Sequence, residues 1–435
     1  MSAEAPSAKR LRAADESPQH AAALDVDAAW APDTAGVSDW GAEVAAASLR
    51  AYESLPRTGK PAADGCEWVL AAAFLVTPGA GAPPRVVTLG TGTKCLTASA
   101  RSAVGDVVND CHAEVVARRA LHLWLYAQLA RAAEGTEHDD CYFTRVDVRG
   151  SVRFAPRPGV ALHMYVSGSP CGDASVLAAA LRTGAKLVGD VPLPCGAWRE
   201  AGGAVQAEGA ARRKPGRGEA TLSMSCSDKM SRWSALGVQG ALLSRFLAAP
   251  LRLASLTVAT ATAAEHLAAA GRAFCSRLAA PAEPLAGTDW AMRPPALFAA
   301  PLPSQLQLRL PSGSGAQASP CGFSINWVLG AGGAEVLLGT TGRRAGATRA
   351  DVARAAVRTR SRLCRAALLQ RYVELSKLVG VEPIPADVTY AVVKRLAPDG
   401  YAAARAALVA PPSPLASWIP KPQGEQDFCC DAVNP

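Results

Sequence analysis

The stretch VVNDCHAEVVARRALHLWLYAQL, which begins at Val107, constrains the fold of this chain more than any other part of the sequence. From Glu114 onwards its apolar residues recur with helical spacing, which predicts one long helix. His112 stands just before this helix, and Glu114 lies in its first turn. Two adjacent arginines, Arg118 and Arg119, follow one turn later. The sequence therefore predicts a helix that begins with chemically active side chains and carries two charges that an apolar pattern does not explain.

Short β-branched segments alternate with helical segments along the rest of the chain. RVVTLG, LHMYVS, QLQLRL, SINWVL and EVLLG have the composition of strands. Helical spacing is found in AEVAAASLRAYESL, in SVLAAALR, in TRADVARAAVRTRSRLCRAALLQRYVELSKL and from Glu114 to about Ala132. Strands interleaved with helices imply an α/β fold.

Composition limits the class of protein. Of the 435 residues, 49% are hydrophobic, which suffices for a large core. The formal net charge of +8 points mildly to a polyanionic partner, and a basic protein without such a partner fits equally well. The start, MSAEAPSAKRLR, lacks the apolar core of a secretory signal, and runs such as WVLAAAFLV are too short to span a membrane. We therefore expect an intracellular protein of the nucleus or cytoplasm, not bound to membranes, with reduced or metal-bound cysteines.

Two regions differ in composition. Residues 1 to 40 are rich in Ala, Ser, Pro, Asp and Glu and show no sustained period, so we predict a disordered tail. Residues 41 to 435 are interpreted as one large domain. The cluster KRLR at Lys9 to Arg12 fits a nuclear signal, and it fits a solvated group of charges equally well.

Three motifs supply the residue types of a catalytic zinc site. They are HAE at His112, SPCGDAS around Cys171 and SMSCSDKMSRW around Cys226. One histidine and two cysteines leave a fourth zinc position open for water, and Glu114 would then transfer protons rather than bind the metal. Cys171 precedes a helical pattern, and a helix start favours the thiolate form. Zinc nucleobase deaminases use a comparable set of residues for hydrolysis.

Each motif also has a plainer explanation. HAE alone is commonly structural, and PCGD alone could be a turn. Cys171 and Cys226 are 55 residues apart, whereas the simpler deaminases have both cysteines in one PCxxC. Cys95 and Cys111 are alternative ligands, although Cys111 adjoins His112 and should point elsewhere. The occurrence of all three motifs in this order favours the zinc site.

Four segments together resemble the adenosine deaminase domain of RNA-editing enzymes: TGTKC, NDCHAEVVARR, SPCGDAS and KPGRGEATLSMSCSDKMSRW. The resemblance runs from about residue 42 to residue 428. It implies a cytidine-deaminase-like mixed sheet flanked by helices, elaborated into one large deaminase domain. It also implies hydrolytic deamination of adenosine to inosine, with Glu114 as the catalytic proton shuttle and one zinc ion held by His112, Cys171 and Cys226.

Three details favour the tRNA-specific branch of this family. KPGRG runs straight into SMSCSDKM, Ser175 stands where the double-stranded-RNA editors typically have a basic residue, and TGKPAADGCEWVLAAA resembles the opening of the tRNA enzyme. The implied substrate is the adenosine 3′ of the anticodon of alanine tRNA, and DNA is not expected as a partner. The alternatives are editing of double-stranded RNA, a free-nucleoside or cytidine deaminase, which the wide spacing of the two cysteines argues against, and an inactive scaffold that binds RNA or inositol phosphate.

The resemblance also offers an explanation for Arg118 and Arg119. Members of the family bury one inositol hexakisphosphate, and a buried polyanion needs cations around it. The implied ligands are Asn109, Arg118, Arg119, Lys229, Arg232, Trp233, Arg365, Tyr390, Lys394, Tyr401, Arg405, Trp418 and Lys421. Without the resemblance, the arginine pair would be interpreted as a half-exposed basic helix face.

Further roles are implied for four residues near the zinc motifs. Asp110 and Lys229 are candidates for a polar relay between the phosphate and the zinc, and Thr93 and Lys94 for contacts with the substrate. The basic run of Arg212, Arg213, Lys214 and Arg217 suggests a track for the RNA backbone, with a solvated loop as the alternative.

Overall fold

The structure is a computed structural model. It describes residues 40–62, 66–135, 140–176, 186–188, 205–214, 219–260, 263–304, 306, 319–381, 384–385 and 387–429. The predicted tail therefore lies outside the described residues except for its last position. So do Arg217, the predicted helix SVLAAALR beyond Val176, and the predicted strand QLQLRL apart from Leu306.

The described residues form short strands and mostly short helices. The strands are β1 (Glu67–Trp68), β2 (Ala71–Thr77), β3 (Arg85–Thr91), β4 (Thr93–Cys95), β5 (Asp110–His112), β6 (Phe143–Val148), β7 (Ser151–Pro156), β8 (Ala161–Val166), β9 (Lys186–Val188), β10 (Val205–Ala207), β11 (Ser255–Ala259), β12 (Ala296–Ala300), β13 (Ser319–Pro320), β14 (Phe323–Val328), β15 (Glu335–Leu338) and β16 (Arg343–Arg344). The helices are α1 (Trp40–Glu53), α2 (Ala113–Glu134), α3 (Cys226–Leu236), α4 (Gly240–Ser244), α5 (Ala263–Phe274), α6 (Ala279–Ala282), α7 (Arg349–Thr359), α8 (Arg365–Leu378), α9 (Tyr390–Arg395) and α10 (Asp399–Ala407).

Eight of these strands form one mixed sheet in the order β12-β11-β8-β2-β3-β14-β15-β16. Strands β12, β11 and β8 are parallel to one another, and every pairing from β8 through β2 to β16 is antiparallel. Helices cover this sheet, so the predicted α/β class with a mixed sheet is confirmed.

Helices pack on both faces of the sheet. In β2, Phe74 and Val76 belong to the core beneath α2, whereas Ala73 and Leu75 pack with Val44 of α1 on the opposite face. This alternation follows from the two-residue period of a strand. Because both faces are covered, β2 is buried along its whole length.

Close packing fixes the position of α2 on the sheet. Gly90 of β3 lies directly under the helix, and a Cβ at this position would collide with backbone atoms of Ala113 and Ala117. Strands β4 and β5 form a separate antiparallel pair in which Thr93 stands opposite His112. Together these contacts hold the first turn of α2 beside a two-stranded ladder.

The predicted helical stretch near residue 350 is a pair of helices, α7 and α8. A capping box begins α7, in which Thr348 and Asp351 exchange hydrogen bonds between side chain and backbone. Within the described part of the chain, no helix has the length and apolar character needed to cross a membrane.

Candidate functional site

The residues of the three sequence motifs meet at the first turns of two helices. His112 ends β5 and precedes α2 with extended backbone angles of φ −68° and ψ 144°. Cys171 lies in the loop after β8, and Cys226 is the first residue of α3. The potential ligand atoms of these residues all lie within 4.8 Å of one another. The His112 Nδ1 and Cys171 Sγ atoms are 3.8 Å apart.

The start of α3 stabilises negative charge on Cys171. Ser225 caps this helix by accepting a hydrogen bond from the Asp228 amide, and the Cys226 amide donates to Cys171 Sγ at 3.3 Å. The Cys226 thiol, Lys214 and His112 together hold the pKa of Cys171 well below its ordinary value. A thiolate is therefore available as a metal ligand at neutral pH.

Glu114 lies beside this cluster and is only 3% exposed. Its Oε2 atom has no hydrogen-bond partner among the described residues. One histidine and two cysteines are a donor set that zinc favours, and three protein ligands leave one position open. The cluster and the adjacent Glu114 carboxylate therefore fit a catalytic zinc ion. Cys111 does not belong to this group of potential ligands among the described residues, and its Sγ lies 3.6 Å from the Val108 carbonyl oxygen.

A second site lies behind the first turns of α2 and α3. It is a cavity of about 370 Å³, lined by residues from α2, α3, α8, α9, α10 and the C-terminal segment. All thirteen residues that the sequence resemblance assigned to a phosphate ligand line this one cavity. The lining includes nine basic side chains, from Arg101, Arg118, Arg119, Lys229, Arg232, Arg365, Lys394, Arg405 and Lys421. Among the described residues, Asp110 is the one carboxylate that lines it.

The charges in this cavity are buried and repel one another. Burial and the nearby Arg405 lower the pKa of Lys394 to about 8, and burial and Arg365 lower that of Lys421 well below its ordinary value. Buried nitrogen atoms of Arg119 and Arg232 have no hydrogen-bond partner within the described structure. Buried charges are normally paired, so this cavity has the electrostatic character of a site for a polyanion.

Local structure explains how the cations are oriented. Arg118 donates from Nε to the Val238 carbonyl oxygen at 2.8 Å, which leaves the rest of its guanidinium directed at the cavity. Arg232 stacks on Trp418, with 4.2 Å between the guanidinium carbon and the ring centre. The segment LAPDGYAAAR forms α10, which places Tyr401 and Arg405 one turn apart on the cavity wall.

A C-terminal stretch, which we call the closing segment (residues 420–429), covers one side of the cavity. Glu425 forms ion pairs with Arg101 and Arg365. The Phe428 ring stacks on Tyr390 with 5.0 Å between ring centres. These contacts attach the segment to the walls of the cavity.

A line of polar contacts connects the two sites. Asp110 accepts hydrogen bonds from Lys229, which lines the cavity, and from Lys214 at 3.0 Å. Lys214 Nζ also donates to Cys226 Sγ at 3.1 Å. The two residues predicted as a relay, Asp110 and Lys229, are thus in contact, and Lys214 completes the path to the cysteine.

Sequence reasoning assigned Lys214 to a different role, and the structure contradicts that assignment. Arg212 and Lys214 were expected to follow the RNA backbone, but they are only 7% and 2% exposed. Their extended segment pairs with Ser223 and Ser225 through backbone hydrogen bonds, which turns both side chains into the protein. Arg213 is partly exposed. A buried lysine beside a cysteine motif is not distinguishable by sequence from a solvated one.

Thr93 and Lys94, the predicted substrate contacts, lie next to the cluster. Thr93 is paired with His112 in the ladder, and its hydroxyl oxygen is buried without a hydrogen-bond partner among the described residues. The stem of Lys94 packs over Gly339.

Comparisons with known proteins agree with this geometry. Residues 88–422 match the adenosine-deaminase (editase) domain family. The chain is 37% identical over 234 residues to tRNA-specific adenosine deaminase 1 of Drosophila melanogaster, covering 49% of this chain and 54% of that protein. It is 34% identical over 279 residues to double-stranded RNA-specific editase B2 of Mus musculus, covering 60% of this chain and 34% of that protein. The chain thus spans about half of the first relative and a third of the second. It belongs to the adenosine-deaminase (editase) domain family.

Proposed function

We propose that this protein hydrolyses adenosine to inosine in tRNA, at the adenosine 3′ of the anticodon of alanine tRNA. The observation that carries the proposal is the convergence of His112, Cys171 and Cys226 beside the buried carboxylate of Glu114, whose Oε2 atom has no hydrogen-bond partner in the part of the chain that the structure describes. Overall, water replaces the exocyclic amino group at C6 of the base, and ammonia leaves.

The proposed chemistry divides between the metal and the side chains. Zinc bound by His112, Cys171 and Cys226 would lower the pKa of water towards neutrality. Glu114 takes up a proton from the attacking water and delivers it to the departing ammonia. Thr93 and Lys94 hold the target nucleotide, since the Thr93 hydroxyl has no hydrogen-bond partner within the described part of the chain and both residues adjoin the cluster.

The tRNA target is supported by sequence details and by the relative with the higher reported identity, which is named for tRNA. An anticodon loop also suits the chemistry. A deaminase must extract its base from the stack, and the energy required is smallest for a base that is already unpaired. Ser175, rather than a basic residue, ends the Cys171 motif.

The experiment is an inosine assay on two RNAs, with alanine tRNA transcript and a long duplex RNA each incubated with the protein and sequenced. We expect inosine next to the anticodon, no inosine in the duplex, and none in either RNA with Glu114→Ala. Inosine in the duplex alone would favour the second candidate, editing of double-stranded RNA, which the longer alignment with the editase makes worth testing. No inosine in either RNA from folded, zinc-loaded protein would favour a scaffold.

We further propose that the cavity holds one inositol hexakisphosphate. The nine basic side chains that line it support a ligand with many phosphates, and arginine suits bidentate contacts with phosphate oxygens. Its volume falls in the range of about 300 to 1,000 Å³ that is typical of ligand sites. Acid extraction of the purified protein followed by mass spectrometry should release one such molecule per chain. Protein that is folded and free of organic phosphate would contradict this assignment.

A further inference from the structure

The two cysteines of the cluster share a short sequence pattern. Cys171-Gly-Asp173 and Cys226-Ser-Asp228 both place an aspartate two residues after the cysteine. Both aspartates are completely buried, with 0% exposure. A fully buried carboxylate must be paired or hydrogen-bonded, so the partners of these two residues indicate their purpose.

Asp173 is bound from two directions. One carboxylate oxygen accepts a hydrogen bond from the Gly209 amide at 2.7 Å. The other forms an ion pair with Arg272 of α5 at 3.3 Å. Arg272 also pairs with Glu208 at 3.0 Å. The loop that carries Cys171 is therefore attached both to the segment 205–214 and to α5.

Asp228 is bound in the same manner. Its Oδ2 atom accepts hydrogen bonds from the Arg212 amide at 2.8 Å and from the Ser225 hydroxyl at 2.7 Å. Its Oδ1 atom forms an ion pair with Arg277 at 2.9 Å, in which the two side chains are 0% and 3% exposed. The start of α3, which carries Cys226, is thus attached to the segment 205–214, as Asp173 is, and to the turn that follows α5.

Arg277 also joins these two attachments to each other. Its guanidinium donates to the Gly209 carbonyl oxygen at 3.2 Å, and the Gly209 amide is the group that binds Asp173. Its Nε atom bonds to Ala273 at the end of α5. The Cys171 loop and the start of α3 therefore share one support, although they are far apart in sequence.

We propose that Arg272 and Arg277, which we call the arginine clamp, are positioning residues that set the separation of Cys171 and Cys226 for the metal. The inference rests on the proposed zinc site. Direct contacts between the Cys171 loop and the start of α3 bring the two cysteines together. In one of them, Ser227 Oγ donates to the Pro170 carbonyl oxygen at 3.1 Å. The clamp fixes the orientation of the Cys171 loop and of the start of α3 through their aspartates, as groups that support metal ligands commonly do.

The test measures metal binding by the full-length chain in four forms: wild type, Arg272→Gln, Arg277→Gln and Arg277→Lys. Zinc affinity is determined by competition with a chelating dye, and the cobalt-substituted proteins are compared by their thiolate-to-cobalt charge-transfer bands. We expect each glutamine variant to lose about 10- to 100-fold in zinc affinity and to show altered cobalt bands. Arg277→Lys should lose less zinc affinity than Arg277→Gln, because lysine keeps the positive charge. Its affinity should stay below that of the wild type, because lysine lacks the planar guanidinium group.

Arg362→Gln is the matched control. Arg362 is also a partly buried arginine that bonds to backbone oxygens, of Asn326 and Ala331, but among the described residues its hydrogen-bond partners lie neither in the Cys171 loop nor at the start of α3. Wild-type zinc affinity and wild-type cobalt bands in both glutamine variants would overturn the clamp. If Arg277→Gln does not fold, the result for Arg272→Gln alone decides the test. The Arg272 side chain is 27% exposed, so its replacement is the milder change. Absence of metal binding by the wild type would instead overturn the proposed zinc site.

Discussion

The zinc-type cluster and the basic cavity share the first turns of α2 and α3, but they are assembled in opposite ways. The cluster consists of three candidate metal ligands that occur in short motifs. The cavity is lined by residues between Arg101 and Gln426 in the sequence. Its suitability for a polyanion comes from the summed charge of these residues rather than from any one side chain. We therefore expect a single substitution in the cluster to abolish most of the deamination activity. A single substitution in the cavity should instead lower the stability of the protein by a graded amount.

The largest effect should come from the cluster itself. Cys226→Ser removes one of three ligands, and we expect deamination to fall on the order of 10³-fold or more, because the metal that activates water is lost. Chelation of zinc from the wild type should produce the same loss. The comparison predicts that organic phosphate stays bound in the variant. Loss of both zinc and organic phosphate from this variant would show that the two sites are not separable.

The next largest effect should come from reversing one charge in the cavity. Arg119→Glu places an anion among phosphates, and we expect the free energy of unfolding to fall by about 3 to 5 kcal/mol. Arg371→Glu is the matched control, because Arg371 is 55% exposed and pairs with Glu374 on the surface of α8. There we expect a change of about 1 kcal/mol or less by denaturant titration. Equal losses in the two variants would contradict a buried polyanion.

A smaller effect is expected at the closing segment. Glu425→Gln removes the carboxylate shared by Arg101 and Arg365, and we expect a loss of about 1 to 3 kcal/mol in unfolding free energy. Because the segment covers the cavity, organic phosphate should also dissociate faster during dialysis. Unchanged retention would mean that Glu425 does not help to close the cavity.

The smallest effect concerns pH. The pKa of Lys394 is lowered to about 8 by burial and by Arg405, Arg365 and Arg232, whereas a bound polyanion would raise it. Above pH 8, binding must therefore take up a proton, at about 1.4 kcal/mol per pH unit for one group. The rise in melting temperature on adding inositol hexakisphosphate to stripped protein should be smaller at pH 9.5 than at pH 7. An equal rise would contradict this linkage.

Sequence and structure agree best where residue type alone carries information. The ligands His112, Cys171 and Cys226 stood in recognisable motifs, and the strand and helix segments followed simple periods. The cavity residues were assigned through family resemblance, since scattered basic residues on separate helices have no common pattern. Lys214 was misassigned because charge in a glycine-rich segment looks solvated, and its burial depends on pairing with Ser223. The partners Arg272 and Arg277 had no local signal at all.

The most direct test of the account concerns Glu114. The rate of inosine formation should be measured for wild type and for Glu114→Gln, which keeps the shape of the side chain but cannot accept the proton. Zinc content and melting temperature should be matched between the two proteins. We predict a loss of about 10² to 10⁴-fold in rate with zinc still bound. Wild-type activity in Glu114→Gln would contradict the assignment of Glu114 as proton shuttle, and with it the chemistry proposed for this site.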